Sequence, residues 1–350
     1  MIHRKSTFLL FVLVIFPLVA TGTIPEAKAQ VQHKYEVAVS IPSLAGIIEG
    51  VGGSMVHVSV LLEQQADPHT FTVTPAIIAT AEAADLLVFT GHFHWENDIA
   101  NQTATPFISL HDDAAWENYE DYGAVLSPLP GGIESEGTNT NLHAYWILPR
   151  NAIAIANATR VALSTLNSTL SASWNTNFES FVQKMDSFQS LVNSLDDIHS
   201  FSDMRAVVVA PAEAYVAETF GIQCDAVLQV EDITLSGAKL LEVQEALRNG
   251  TVELILGSDV SQFQAGGEYA YQLQADYGGI LIWWQTVFYA ESDYFSMMAF
   301  NLGALVSGIE GRSGGIANES VNIGLIALVS VLGIIVVIET ILLIQRAKAE

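Results

Sequence analysis

Residues 58–75 read VSVLLEQQADPHTFTVTP, a β-branched apolar run that stops at Asp67, Pro68 and His69 and restarts at Pro75. Val56 to Leu62 has the composition of a strand, and Pro68, with its fixed φ and missing N–H, sets the turn that follows. An imidazole just past the end of a parallel strand opens into the crevice where α/β folds bind their ligands, so His69 is the first candidate functional residue. Working outward, Tyr35 to Ile41 reads as a strand, Leu44 to Glu49 as a helix and Pro75 to Ala83 as a second helix. Asp85 to Thr90 has the unbroken apolar character of a buried parallel strand. Strand and helix alternate, which defines an α/β lobe.

Between Asn151 and Leu195 there is neither proline nor glycine, and Ala, Leu, Val and Phe recur at helical spacing. One long helix is expected there, and the Ser, Thr and Asn cluster of Ser171 to Thr176 is where it would break. Arg205 to Ala210, Glu213 to Phe220, Ala238 to Arg248, Val252 to Leu256 and Gly279 to Trp283 then repeat the strand and helix pattern. They form a second lobe, closed by a helix over Tyr294 to Gly308 and followed by a glycine-rich linker. The expected fold class is therefore α/β, with two Rossmann-like lobes joined by one long helix.

The two ends are different in kind. Arg4 and Lys5 precede the apolar run Phe8 to Ala20 and the small residues around Ala27 and Ala29, the pattern of a secretory signal peptide cut after Ala29; an uncleaved N-terminal anchor is the alternative. Residues 323–344 are nearly all apolar, long enough for a transmembrane helix, and are followed by Arg346 and Lys348, which keeps the tail inside and the body outside. The expected divisions are a signal peptide over 1–29, an N-terminal lobe over 30–150, a connecting helix over 151–195, a C-terminal lobe over 196–309, a linker over 310–322, a membrane anchor over 323–344 and a cytoplasmic tail over 345–350. Glycosylation sequons stand at Asn101, Asn157, Asn167, Asn249 and Asn318. With no lipidation cysteine after the signal, they suggest a single-pass protein of the cell membrane with an extracellular body, of the archaeal surface type.

Thirteen Lys and Arg against 38 Asp and Glu give a net charge of -25. Such a surface repels nucleic acid and enriches cations near it, although an acidic solvated surface alone accounts for the number. The single cysteine, Cys224, excludes a disulfide framework and a cysteine-rich zinc site. His, Asp and Glu are left as the metal ligands available.

Asp67 to Pro75 reproduces the motif D-P-H-x-x-x-x-x-P, and here the sequence resembles the ZnuA/TroA-like metal-binding proteins of ABC importers, over roughly residues 35–309. The resemblance implies that His69 is a metal ligand. Residues 84–96, ADLLVFTGHFHWE, are similar to the family's A-D-L-x-x-x-x-G-x-x-x-E. That likeness assigns His92, His94 and Glu96 to the wall of the pocket, where the two imidazoles could also be recruited as ligands. NLHAYWILPRN, residues 141–151, stands where the family has D-P-H-x-W-x-D-P, with one residue inserted before Trp146 and Leu148 in an acidic position. It makes His143 the second ligand.

The C-terminal lobe departs from the pattern. Residues 210–221, APAEAYVAETFG, replace the family's H-x-A-x-x-Y-x-x-x-x-x-G, and Ala210 cannot coordinate. Glu213, three residues on, is then the third metal ligand or else a first-turn carboxylate facing a helix dipole. LIWWQT, residues 281–286, lacks the family's aspartate, so Trp284 belongs to the pocket wall and Glu231, Asp232 or Asp259 either compensates or is a solvated loop acid. DYFSMMAFN, residues 293–301, does resemble the family's Y-x-x-x-M-x-x-N helix. The resemblance implies capture of a divalent metal ion, zinc ahead of manganese, for an ABC permease and its ATPase. The alternative is a family scaffold that has lost its metal and reads another solute or a surface partner through Trp283 and Trp284. An enzyme is not expected, because H-E-x-x-H, G-x-S-x-G and a phosphate-cradling glycine loop are all missing.

Overall fold

The N-terminal lobe begins with β1 (Tyr35–Val39), α1 (Pro42–Gly52), β2 (Val56–Val60) and α2 (Pro75–Ala83), followed by β3 (Leu86–Val88), α3 (His94–Gln102), β4 (Phe107–Ser109) and β5 (Glu117–Asn118). The computed structural model describes residues 34–62, 68–132, 139–231, 233–235, 237–287 and 293–313. Among these, the five strands form one parallel sheet in the order β2-β1-β3-β4-β5. Val37 lies opposite Val58 on one side and Leu86 on the other. Val37, Val39, Leu86 and Val88 are wholly buried, because helices cover both faces of a parallel sheet and leave no polar side. α2 starts where the sequence places it, with Pro75 in the first turn and the Thr74 hydroxyl accepting from the Ile77 N–H.

The segment expected as one helix is two: α4 (Pro149–Leu166) and α5 (Ser171–His199). The interruption falls at residues 167–170, just before the Ser171 to Thr176 cluster. There the Asn167 side chain accepts from the Thr169 N–H and folds the chain into a short 3-10 turn. A polar side chain competing with the helix ladder is sufficient cause. α5 is the long helix between the lobes, and its buried stripe of Trp174, Phe181, Met185, Phe188 and Val192 packs on the common core.

The C-terminal lobe then runs β6 (Arg205–Val208), α6 (Glu213–Thr219), β7 (Gln223–Val227), β8 (Gln229–Val230), β9 (Ile233–Thr234), α7 (Gly237–Arg248), β10 (Leu254–Ser258), α8 (Ala265–Tyr277), β11 (Ile280–Trp284) and α9 (Tyr294–Ser313). β11-β10-β6-β7 form a second parallel sheet, and β8 with β9 a short antiparallel hairpin. α9 continues through Ser313, so the expected linker from residue 310 begins as helix. Among the described residues no helix is long and apolar enough to cross a membrane. The expected signal peptide, the anchor over 323–344, the tail, Asp67, Asp232 and Asn318 lie outside the described residues.

The lobes meet across polar contacts that fix the chain just before His143. The Asn141 side-chain amide donates to the Pro211 carbonyl at 2.9 Å, and the Tyr215 hydroxyl donates to the Asn141 carbonyl at 2.6 Å while accepting from the Ser127 N–H at 2.9 Å. Leaving a buried carbonyl without its donor costs about 1–3 kcal/mol. Tyr215→Phe is therefore expected to lower the unfolding free energy by about that amount, with an unchanged denaturant slope, in a urea titration followed by tryptophan fluorescence.

Candidate metal centre

Three loops of the N-terminal lobe each deliver one imidazole. The first follows β2, where the Trp95 indole N–H donates to the Pro68 carbonyl at 2.9 Å and so ties the turn carrying His69 to α3. The second leaves β3. Here the buried Glu96 carboxylate accepts from the backbone N–H groups of Thr90, Gly91, His92 and Phe93 at 2.7, 2.9, 3.2 and 3.2 Å, and from the Thr90 hydroxyl at 2.9 Å. One side chain thereby closes the N-terminus of α3 and sets the direction of His92. Gly91, at φ 74, permits that turn; an added Cβ would meet the Ser109 hydroxyl at 2.8 Å.

The third loop precedes α4. The Asn141 side-chain carbonyl accepts from the His143 N–H at 3.0 Å, and Ala144 takes a left-handed φ of 60, a conformation costing a non-glycine residue about 1 kcal/mol or more. The Tyr145 hydroxyl donates to the Thr90 carbonyl at 2.7 Å. The loops bearing His92 and His143 are thus bonded directly to each other.

The result is a cluster. His69, His92 and His143 offer ligand atoms that all lie within 4.8 Å of one another. Their ring centroids are 5.0 Å apart for His69 and His92, 5.3 Å for His69 and His143, and 4.5 Å for His92 and His143. Nitrogens bound tetrahedrally to one zinc ion sit about 3.4 Å apart, so a contraction on the order of 1 Å completes the set. Both ring nitrogens of His92 and Nδ1 of His143 are sealed from solvent and have no hydrogen-bond partner among the described residues. Burial first, and the neighbouring imidazoles second, push His92 well below its ordinary value and His143 down to about 3. Both rings are neutral at pH 7, with lone pairs available to a cation and no proton to displace.

The remaining expected residues fall elsewhere. His94 is the exposed first residue of α3 and does not join the cluster. Glu96 acts through the backbone of residues 90–93 as described. Glu213 is wholly buried and accepts from the Ala210 N–H at 2.8 Å and the Ser261 hydroxyl at 2.6 Å; it belongs to the interior of the C-terminal lobe and not to the group of converging donors. Trp284 is 1% exposed and packs edge-on against Phe220 at 5.8 Å, so it is a core residue and not pocket wall. Trp283 packs on Tyr271. The sequence places His92 in the wall, with recruitment as a ligand left open; the structure brings it level with His69 and His143. The doubled histidine around Phe93 was the available signal, and the Glu96 capture decides which of the two turns inward.

Across the crevice, a cavity of about 70 Å³ separates the imidazoles from a C-terminal wall of Ala210, Pro211, Val260 and Val287, with Glu231 and Gln264 among its polar members. Fold and site together describe a two-lobed α/β protein with an imidazole-lined cavity between its lobes. The chain belongs to the ZnuA family, described as zinc-uptake complex component A, periplasmic, whose model matches residues 37–308. It is similar to the iron-binding protein YfeA of Yersinia pestis, 23% identical over 292 residues that cover 80% of this chain and 90% of that protein. FpvC of Pseudomonas aeruginosa in complex with Mn2+ superposes with a TM-score of 0.64 at 17% identity, covering 80% of this chain and 99% of the other. The Mn-bound periplasmic metal-binding protein of Candidatus Liberibacter asiaticus gives 0.60 at 18%, covering 79% and 100%. A zinc-bound ZnuA deletion mutant gives 0.62 at 17%, covering 79% and 98%. At these identities the likeness is one of fold.

Glu213 supplies a pH signature of its own. Burial raises its carboxyl from near 4.5 to about 7, against the opposing hydrogen bonds of Ser258, Ser261 and Ala210. The folded state holds this proton more tightly than the unfolded chain, so the group's contribution to stability is full below about 4.5 and is lost as pH rises through about 7. Glu213→Gln is expected to gain stability relative to the native protein between pH 5 and pH 8, read as the difference in urea midpoints. A constant difference across that range would contradict the assignment.

Proposed function

We propose that this chain captures a divalent metal ion from outside the cytoplasm and hands it to an ABC permease and its ATPase. The observation that carries the reading is the convergence of the His69, His92 and His143 imidazoles, with both ring nitrogens of His92 and Nδ1 of His143 buried and without a hydrogen-bond partner among the described residues. A buried polar nitrogen left unpaired is destabilising, and one cation can take a lone pair from each ring of the cluster. Family membership and the metal-bound relatives of the same fold support it. No covalent chemistry is implied, since the metal is cargo.

Zinc is the preferred ion on this reading. An all-imidazole set suits zinc and its borderline neighbours, whereas manganese favours carboxylate and water oxygens and lies at the weak end of the divalent series. The signal over 1–29 and the apolar run over 323–344 would hold the body outside the membrane on a single tether. Of the described sequons, Asn101 and Asn249 are exposed and suited to carry glycans, whereas Asn167 is occupied by the Tyr35 hydroxyl and the Thr169 backbone.

Titration calorimetry with zinc tests the proposal. The native protein is expected to bind more tightly than its His69→Ala, His92→Ala and His143→Ala variants, each weakened by at least about 10–100-fold, the range already found for groups that only orient a ligand. Manganese is expected to bind more weakly than zinc. No heat with either ion at tens of micromolar, or equal binding by all four proteins, would refute it.

A further inference from the structure

The cluster leaves one question of coordination. Three nitrogens come from one lobe, and zinc in a closed protein site takes four ligands. Three imidazole ligands bring no negative charge and leave the full double positive charge of the ion in a half-buried crevice, where an uncompensated charge is costly. The facing lobe must either supply an anion or leave the position to a solvent ligand.

The acids of that lobe sort themselves by what they already hold. Glu213 is bonded to Ala210 and Ser261 inside the core. One Asp259 oxygen accepts from the Thr286 N–H and hydroxyl at 2.9 and 2.8 Å, which fixes the exit of β11. Glu231 is different: it is exposed, and it lines the cavity opposite the three histidines. It is the one acid among the described C-terminal residues of the cavity wall.

Its backbone is also built for display. Glu231 follows β8 with φ 51, one of three described non-glycine residues in the left-handed region. Another of the three, Ala144, adjoins the ligand candidate His143. Glycine would hold such a turn without strain, and strain of this kind gathers at ligand clamps. The turn is pinned from beneath: the buried Gln229 side chain donates to the Glu231 carbonyl at 2.6 Å and accepts from the Gly266 N–H at 2.6 Å. The chain thus fixes the backbone of residue 231 while leaving its side chain exposed on the cavity wall, from which the carboxylate must still move in to join the imidazoles.

We infer that Glu231 is the ligand the C-terminal lobe contributes, its carboxylate closing on the ion held by His69, His92 and His143. This rests on the metal-capture reading above. It assigns the two lobes separate tasks: the N-terminal lobe takes the ion with nitrogen, and the C-terminal lobe neutralises and covers it with one oxygen anion.

The test uses the native protein, Glu231→Gln and Glu231→Gly, with zinc calorimetry and the visible spectrum of the cobalt(II)-loaded forms under added azide. Expected are a zinc affinity about 10–100-fold lower in both variants, a native cobalt spectrum indifferent to azide, and variant spectra that shift because the vacated position has become exchangeable. Glu231→Gly also removes the backbone strain, so its metal-free form should melt no lower than the native protein. Weaker zinc binding without loss of fold is then attributable to the missing carboxylate. Native affinity in both variants, or a native cobalt spectrum that azide already shifts, would overturn the inference and give the position to a solvent ligand. A native protein that binds neither zinc nor cobalt would instead refute the metal-capture reading itself.

Discussion

A ring nitrogen removed from water without a partner is unfavourable by about 1–3 kcal/mol, and among the described residues this crevice keeps three such atoms on His92 and His143. The polar groups nearby are spent on the loops rather than on the rings. Glu96 gathers the N–H groups of residues 90–93, Asn141 takes the His143 N–H, and Tyr145 and Tyr215 bind carbonyls at positions 90 and 141. These bonds hold the loop backbones while the buried ring nitrogens of His92 and Nδ1 of His143 stay open. Burial keeps His143 neutral far below pH 7, which removes the proton as a competitor for its lone pair.

This arrangement is asymmetric across the crevice. Every imidazole of the cluster comes from the first 150 residues, and the opposing surface is mostly Ala, Pro and Val. Yet the lobes are not independent, because the loop carrying His143 is bonded to Pro211 and Tyr215 of the second lobe. A change in the relation between lobes therefore acts on one of the three rings directly.

Much of the fold was legible in the pattern of apolar residues. β1, α1, β2, α2 and β3 follow from β-branched runs and from Pro75, because a parallel sheet covered on both faces admits little else. α8 was missed, since Gly266 and Gly267 lower its helical propensity; they are needed where Gln229 and the carbonyl of Ser261 approach within 3.0 and 2.6 Å of a Cβ at those positions. β7 was missed as a half-exposed edge strand with no clean alternation. In the candidate site, motif context singles out His69 and His143 but does not tell His92 from His94. That choice depends on a buried carboxylate drawing four amides together. Glu213 misled for the opposite reason: an acid near a crevice motif reads as a ligand until its hydrogen bonds within the lobe are seen.

The central claim is that one ion is held by three particular imidazoles of the N-terminal lobe. Diffraction from crystals of the zinc-loaded protein, with anomalous maps collected at the zinc absorption edge, addresses it without intermediaries. The account predicts a single strong peak in the crevice, about 2.0–2.1 Å from one ring nitrogen each of His69, His92 and His143. A peak that omits any of these rings, or that sits on the acidic surface away from the crevice, would contradict it.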